Sequence, residues 1–210
     1  MPHFNRKYQL NKRNRRVRII SGSAKGRKLR QFKGQNIRPT TDRVREALFS
    51  SLQSRLGSFS ELKVLDLFAG TGALSLEALS RGAAYAVLVD QSPNSVAVIA
   101  ENIKTCGMQD RTRLCRTSAS IFVNQNQAAK DAPFDLIFLD PPYNKNLVTP
   151  TLNGIVENKL LSGCGIICVE AARKDPVPSE VPGLIQLDRK EYGSTAVSFF
   201  SLSKPGEDQP

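Results

Sequence analysis

The sequence predicts a doubly wound α/β domain on a mostly parallel sheet, and three observations predict it. From Leu62 onward, short β-favouring apolar runs alternate with stretches of helical period. One run, Phe134-Asp135-Leu136-Ile137-Phe138-Leu139, is nearly continuously apolar, as in a central strand covered on both faces. A glycine turn, Gly70-Thr71-Gly72, joins the first strand to the first helix of the alternation.

In chain order, residues 1–14 read as a basic disordered tail. Residues 15–37 read as a small basic β-hairpin standing off the main domain. Its strands are Arg16–Ser21 and Arg27–Phe32, joined through Ser21-Gly22-Ser23-Ala24-Lys25-Gly26. Residues 38–203 form the α/β domain. Thr40 or Thr41 caps a first helix that keeps helical period to about Leu56. Strand Val64–Phe68, helix Ala73–Ser80 and strand Tyr85–Asp90 follow. Helix Pro93–Thr105 has Ser92 as cap and Gly107 beyond its end. Strand Arg113–Arg116, a helix from about Ser118 to Gln127 and strand Phe134–Leu139 continue the alternation. A helix near Pro150–Lys159 leads to strand Gly165–Glu170. Strands Leu184–Glu191 and Ala196–Leu202 make a closing antiparallel hairpin, giving a seven-stranded sheet. Residues 204–210 are a loose tail.

Composition narrows the chemistry. The net charge of +11 favours a polyanionic partner. Residues 1–41 hold no acid at all, so the base excess is concentrated at the start of the chain. Arg18, Lys25, Arg27, Lys28, Arg38 and Arg43 are the candidates for nucleic-acid backbone contacts. The single histidine, His3, lies in the tail, which excludes Ser-His-Asp hydrolases and histidine-ligated metal sites. Cys106, Cys115, Cys164 and Cys168 lack zinc-site spacing and read as reduced, buried small hydrophobes; no metal is expected. No apolar run has membrane-spanning length, and no signal peptide is evident. A cytoplasmic monomer without a membrane partner is the expectation.

Two motifs carry the chemistry. The prolines of Asp140-Pro141-Pro142-Tyr143 end their strand and hold Asp140 stiffly at its carboxyl end, where open α/β sheets bind ligands. A carboxylate (Asp140) and a carbonyl (Pro141) can each accept one hydrogen of a nucleobase amine and aim its lone pair at an electrophile. Tyr143 can stack on the base. This suits methyl transfer from a sulfonium donor. The second motif is Asp66-Leu67-Phe68-Ala69-Gly70-Thr71-Gly72, which opens a helix, with Asp90 ending the next strand. Glycines permit close approach to backbone at a helix N-terminus, and an acid at Asp90 can accept from two ribose hydroxyls. Ser75 stands where a dinucleotide fingerprint would have its third glycine.

The D-x-F-x-G-x-G loop resembles the cofactor loop of class I S-adenosylmethionine-dependent methyltransferases. That resemblance implies a Rossmann-like fold with Asp66 near the methionine moiety and Asp90, followed by Gln91, at the ribose. Ser118-Ala119 would lie by the adenine. The acidic Pro-Pro-aromatic tetrapeptide resembles that of nucleic-acid amino-methyltransferases. Four segments together resemble the RsmD family of bacterial 16S rRNA guanine-N2 methyltransferases: Arg18-Ile-Ile-Ser-Gly-Ser-Ala-Lys-Gly-Arg-Lys-Leu29, Arg38-Pro-Thr-Thr-Asp-Arg-Val-Arg-Glu-Ala-Leu-Phe49, Val64-Leu-Asp-Leu-Phe-Ala-Gly-Thr-Gly-Ala-Leu74 and Leu139-Asp-Pro-Pro-Tyr143. Lys190-x-Tyr192-Gly193-x-Thr195 also fits. The resemblance spans about residues 16 to 202. It implies S-adenosylmethionine as cofactor and 16S rRNA, or the assembling small subunit, as partner. The target guanine would leave its stack, with its 2-amino group held by Asp140 and Pro141. Removing residues 1–34 is expected to leave a core that still binds the cofactor. A DNA adenine-N6 methyltransferase, a protein-glutamine methyltransferase and a non-catalytic RNA-binding assembly factor are the alternatives.

Overall fold

The computed structural model describes residues 17–32, 42–125, 128–142, 145–175 and 177–203. Arg38, Thr40, Thr41, Tyr143 and the expected tails (1–14 and 204–210) lie outside the described residues. The elements are α1 (Asp42–Leu56), β1 (Lys63–Asp66), α2 (Ala73–Ser80), β2 (Tyr85–Asp90), α3 (Pro93–Cys106) and β3 (Thr112–Arg116). They continue with α4 (Ala119–Asn124), β4 (Phe134–Leu139), α5 (Val148–Glu157), β5 (Leu161–Ala172), β6 (Glu180–Val181), β7 (Leu184–Tyr192) and β8 (Thr195–Leu202).

These strands form one sheet in the order β3-β2-β1-β4-β5-β8-β7-β6. The first five are parallel. β8 pairs antiparallel with both β5 and β7, so the closing hairpin inserts its second strand against the parallel part. Among the described residues the sheet has eight strands instead of the expected seven. The extra one is the two-residue β6 on the outer edge of β7, too short to leave a periodic signal.

Alternation along the central strands sorts their side chains to two cores. Val64, Leu136 and Phe138 point to the face covered by α1, α2 and α3. Leu65, Ile137 and Leu139 point to the face covered by α4 and α5. The caps follow sequence logic: Ser92 accepts from the Ser95 amide at the start of α3, where Pro93 needs no partner, and Gly107 ends the helix at φ 68°.

Two expectations change. Two of the four cysteines are not buried: Cys164 is exposed and Cys115 half-buried. Pairing of β4 with β5 shifts between Phe134 and Leu136, so residues 162–165 are not carried in the regular ladder, and Cys115 lies on the edge strand β3.

The N-terminal hairpin does not stand off. Among the described residues its two sides share one bridge, between Arg18 and Lys28, and the Ile19, Gly26 and Leu29 amides donate to the Arg27, Ile19 and Val17 carbonyls, without regular strands; the segment lies on the domain. Val17, Ile19, Ala24 and Leu29 are buried in the same core as Phe49 and Phe138. Burying a Val, Ile or Leu side chain contributes roughly 1.5–3 kcal/mol before the entropy of ordering the segment is counted, so these contacts hold the segment on the domain. Fully buried Glu77 accepts from the Ile20 and Ser21 amides at 2.7 and 3.0 Å and from Arg81 Nε at 2.8 Å. Ser80 Oγ accepts from the Ala24 amide and donates to the Ser21 carbonyl. Removing residues 1–34 would therefore uncover core and leave buried Glu77 with Arg81 but without its two amide donors. An intact core after that truncation is no longer expected.

Candidate active site

β1 delivers Asp66 to the carboxyl edge of the sheet, and the glycine loop carries the chain on to α2. Asp66 is 2 % exposed, and Ser75 Oγ donates to its Oδ2 at 2.9 Å. The residue that breaks the three-glycine pattern thus has a job: its hydroxyl holds the acid below it.

The two glycines differ. A Cβ on Gly70 would meet nothing nearer than the Phe68 carbonyl at 3.9 Å, so the space beside it is open to a ligand. A Cβ on Gly72 would meet Leu88 at 3.1 Å and Ile99 and Leu76 at 3.6 Å. Gly72 lets α2 settle on β2; Gly70 leaves room for approach. Both have positive φ, 55° and 76°.

Asp90 is oriented by backbone. The Gly70 amide donates to its Oδ2 and the Ser92 amide to its Oδ1, each at 2.9 Å. A carboxylate has about four acceptor positions, so two remain for hydroxyls. Gln91 is exposed next to it, Phe68 and Thr71 are half-buried, and Ala69 is buried. β3 pairs Arg116 with Asp90, which brings Ser118 and Ala119 to the same edge. Ser118 Oγ accepts from the Ile121 amide at 3.2 Å as the cap of α4, and Ala119 is buried.

Strand register brings in Asp140. Asp66 lies opposite Phe138, and the Leu67 amide donates to the Phe138 carbonyl at 3.1 Å. Phe138 in turn lies opposite Cys168 and Leu139 opposite Val169. Asp66, Asp140 and Glu170 therefore project from the same face at one end of adjacent strands. Asp140 is half-buried as a residue, but its carboxyl is withdrawn from water.

Burial pushes Asp66 up to about 7; the nearby Asp90 charge adds to the rise and the Ser75 hydrogen bond opposes it. Burial likewise lifts Asp140 well above the usual carboxylate range, reinforced by Glu170 and Asp66. Among the described residues no cluster of His, Cys, Asp and Glu is arranged to hold a metal ion. The edge thus concentrates negative groups whose ionisation a positively charged organic ligand would favour. Beyond Pro141 and Pro142 a cavity of about 320 Å³ opens toward Lys145, Leu147, Ala171 and Asp175. That is room for a planar base, on the β5 side of the proline corner, away from the glycine loop.

The basic candidates separate into two groups. Arg18 Nε pairs with Asp42 at 3.0 Å, and the Arg27 guanidinium donates to the Thr105 carbonyl. Lys25, Lys28 and Arg43 are exposed. Sequence reasoning missed Glu77, Asn102 and Glu170. Glu170 alone had a signal, an acid ending a strand; the other two are buried in helices and bond to backbone distant in the chain.

A family model described as conserved hypothetical protein 95 matches residues 17–201. Ribosomal RNA small subunit methyltransferase D of Escherichia coli (strain K12) is 35 % identical over 192 residues, covering 91 % of this chain and 92 % of that one. Its namesake from Buchnera aphidicola subsp. Acyrthosiphon pisum is 32 % identical over 166 residues, covering 79 % and 83 %. The solved structure of the Escherichia coli protein yhhF superposes with a TM-score of 0.77 at 34 % identity, covering 89 % of this chain and 98 % of that one.

Proposed function

The chain belongs to the conserved hypothetical protein 95 family, the RsmD family, and on that premise we propose that it methylates the 2-amino group of a guanine in small-subunit rRNA, with S-adenosylmethionine as donor. The observation that carries the reading is the β1–β4 register, which sets Asp66 and Asp140 on one face of one sheet edge.

The residues fit that cofactor. The open side of Gly70 admits it, and the two unused acceptor positions of Asp90 suit its ribose hydroxyls. In this reading Phe68, Ala69, Thr71 and Gln91 line the cofactor site, and Ser118 and Ala119 take its adenine end. Asp66, held by Ser75, faces the cationic part of the ligand. When bound, the sulfonium supplies an electrophilic methyl group.

The rest of the chemistry belongs to the protein. The Asp140 carboxylate and the Pro141 carbonyl each accept one N–H of the guanine amine and direct its lone pair. Tyr143 stacks on the ring. Pro142 keeps the corner extended. Positioning and fixed dipoles lower the barrier, with Asp140 nearest to the departing proton. Lys25, Lys28 and Arg43 contact rRNA phosphates directly, and Arg38 is a further candidate from the sequence alone, while Arg18 and Arg27 hold the N-terminal arm (residues 17–32) on the domain.

The test is incubation with labelled S-adenosylmethionine and naked 16S rRNA, small subunits or DNA, followed by mapping of the modified base. Label on a guanine N2 of 16S rRNA is expected. Label on DNA adenine, or none on any substrate, would overturn the reading.

A further inference from the structure

One buried amide joins the basic arm to the glycine loop. Asn102, on α3, is 0 % exposed. Its Oδ1 accepts from the Arg30 amide at 2.7 Å, and its Nδ2 donates to the Arg30 carbonyl at 3.1 Å and the Thr71 carbonyl at 2.9 Å. Both ends of the amide are committed, so its plane is fixed by the arm on one side and the loop on the other. The same helix grips the arm again on either side: Arg30 pairs with Glu101, and Arg27 donates to the Thr105 carbonyl.

We infer that Asn102 is a positioning residue through which RNA held on the arm tightens cofactor binding at the glycine loop. The inference rests on the functional reading above. Thr71 lies between two glycines of positive φ, a stretch with little steric restraint of its own. Part of the free energy of cofactor binding is lost in ordering that stretch. RNA bound across Lys25 and Lys28 restrains the segment that runs on to Arg30. That segment holds the Asn102 amide, and the amide holds the Thr71 carbonyl, so the loop is partly ordered before the cofactor arrives. The coupling is reciprocal, so cofactor also tightens RNA. Asn102 itself touches neither ligand.

The experiment measures S-adenosylhomocysteine affinity calorimetrically, with and without saturating purified 16S rRNA, in the full chain and in the Asn102→Asp and Asn102→Ala variants. Asn102→Asp keeps size and one acceptor but loses both donated bonds. The wild type is expected to bind at least about fivefold more tightly with rRNA. The variants should lose more affinity with rRNA than without it, so that the two affinities become equal and the ratio falls to one. A merely structural role would weaken both affinities and leave the wild-type ratio, which would overturn the inference. A second measurement needs no variant: in the cofactor-free wild type, hydrogen exchange at residues 69–73 should slow when rRNA is added. Unchanged exchange, or a wild-type ratio of one while both ligands bind, would also overturn it. Failure of either ligand to bind would overturn the functional reading, and this inference with it.

Discussion

The carbonyl oxygen of Ser80 occupies the place where a side chain on Gly22 would begin: a Cβ built there falls 1.7 Å from it, with Gly22 at φ +80°. Gly26, four residues on, has φ +83° and nothing within 4 Å of its Cβ position. The pair separates backbone strain from docking. Gly26→Ala should cost about 1–2 kcal/mol, the strain of a left-handed residue. Gly22→Ala carries the same strain and also pushes the arm off α2, so its loss should exceed that of Gly26→Ala by about 2 kcal/mol or more. Denaturant midpoints of the two variants decide it; equal shifts would mean that the arm is not seated on Ser80.

That seat was invisible in the sequence, and the reason is physical. The alternating strands and helices of the domain were legible because each carries its own period, and β2 and β4 begin and end where expected. The two acids and the glycine loop were legible because chemistry at a strand's carboxyl end needs few residue types. The arm's docking depends on Glu77, Ser80 and Asn102, whose partners are backbone groups 56 to 72 positions away. No local pattern encodes such a contact. The arm's charge drew attention to solvent and RNA, while Val17, Ile19 and Leu29, buried among those charges, were the sign of a seat on the core. The same limit hid the meaning of Ser75, which read as a missing glycine and acts as a donor to Asp66.

Asp140→Ala should abolish methyl transfer, by at least about a thousandfold in kcat, because the amine loses an acceptor that orients it in the transition state. Cofactor affinity should stay within about threefold, since the glycine loop and Asp90 are untouched. The substitution also removes a withdrawn carboxyl crowded by Glu170 and Asp66, so the variant should melt no lower than the wild type. Single-turnover assays with calorimetric binding check both parts. Retained activity would remove Asp140 from the mechanism.

Asp66 gives a pH-dependent stability with a definite sign. Its carboxyl is raised to about 7 in the folded chain from 3.8. The folded state therefore holds a proton that the unfolded state has released, and stability is lost as pH rises from about 4 to about 7. Above that the loss is constant. Asp66→Asn removes the penalty and can still accept from Ser75. Its melting temperature should exceed the wild type's by a margin that widens from pH 4 to pH 7 and then levels off. Cofactor affinity should fall in the same variant, which loses the charge facing the ligand's cationic end. A margin independent of pH would show that Asp66 is ionised throughout.

The exposed bases predict a salt dependence that separates contact from mere charge. Lys25, Lys28 and Arg43 are exposed and lie on the arm and α1, whereas exposed Lys159 follows α5, the helix on the opposite face of the sheet. Each phosphate contact to single-stranded RNA contributes about 0.7 to the slope of log affinity against log salt. The Lys25→Gln, Lys28→Gln, Arg43→Gln triple variant should therefore flatten the slope by about 2 and weaken rRNA binding similarly across unrelated sequences, because phosphate contacts carry no base identity. Lys159→Gln changes the net charge by one and should leave the slope within about 0.3 of wild type, since a charge beyond a Debye length from the RNA is screened. Filter binding at four or five salt concentrations reads both. Equal flattening per charge removed in the two variants would mean that rRNA responds to the overall charge of the protein and that the arm is no contact surface.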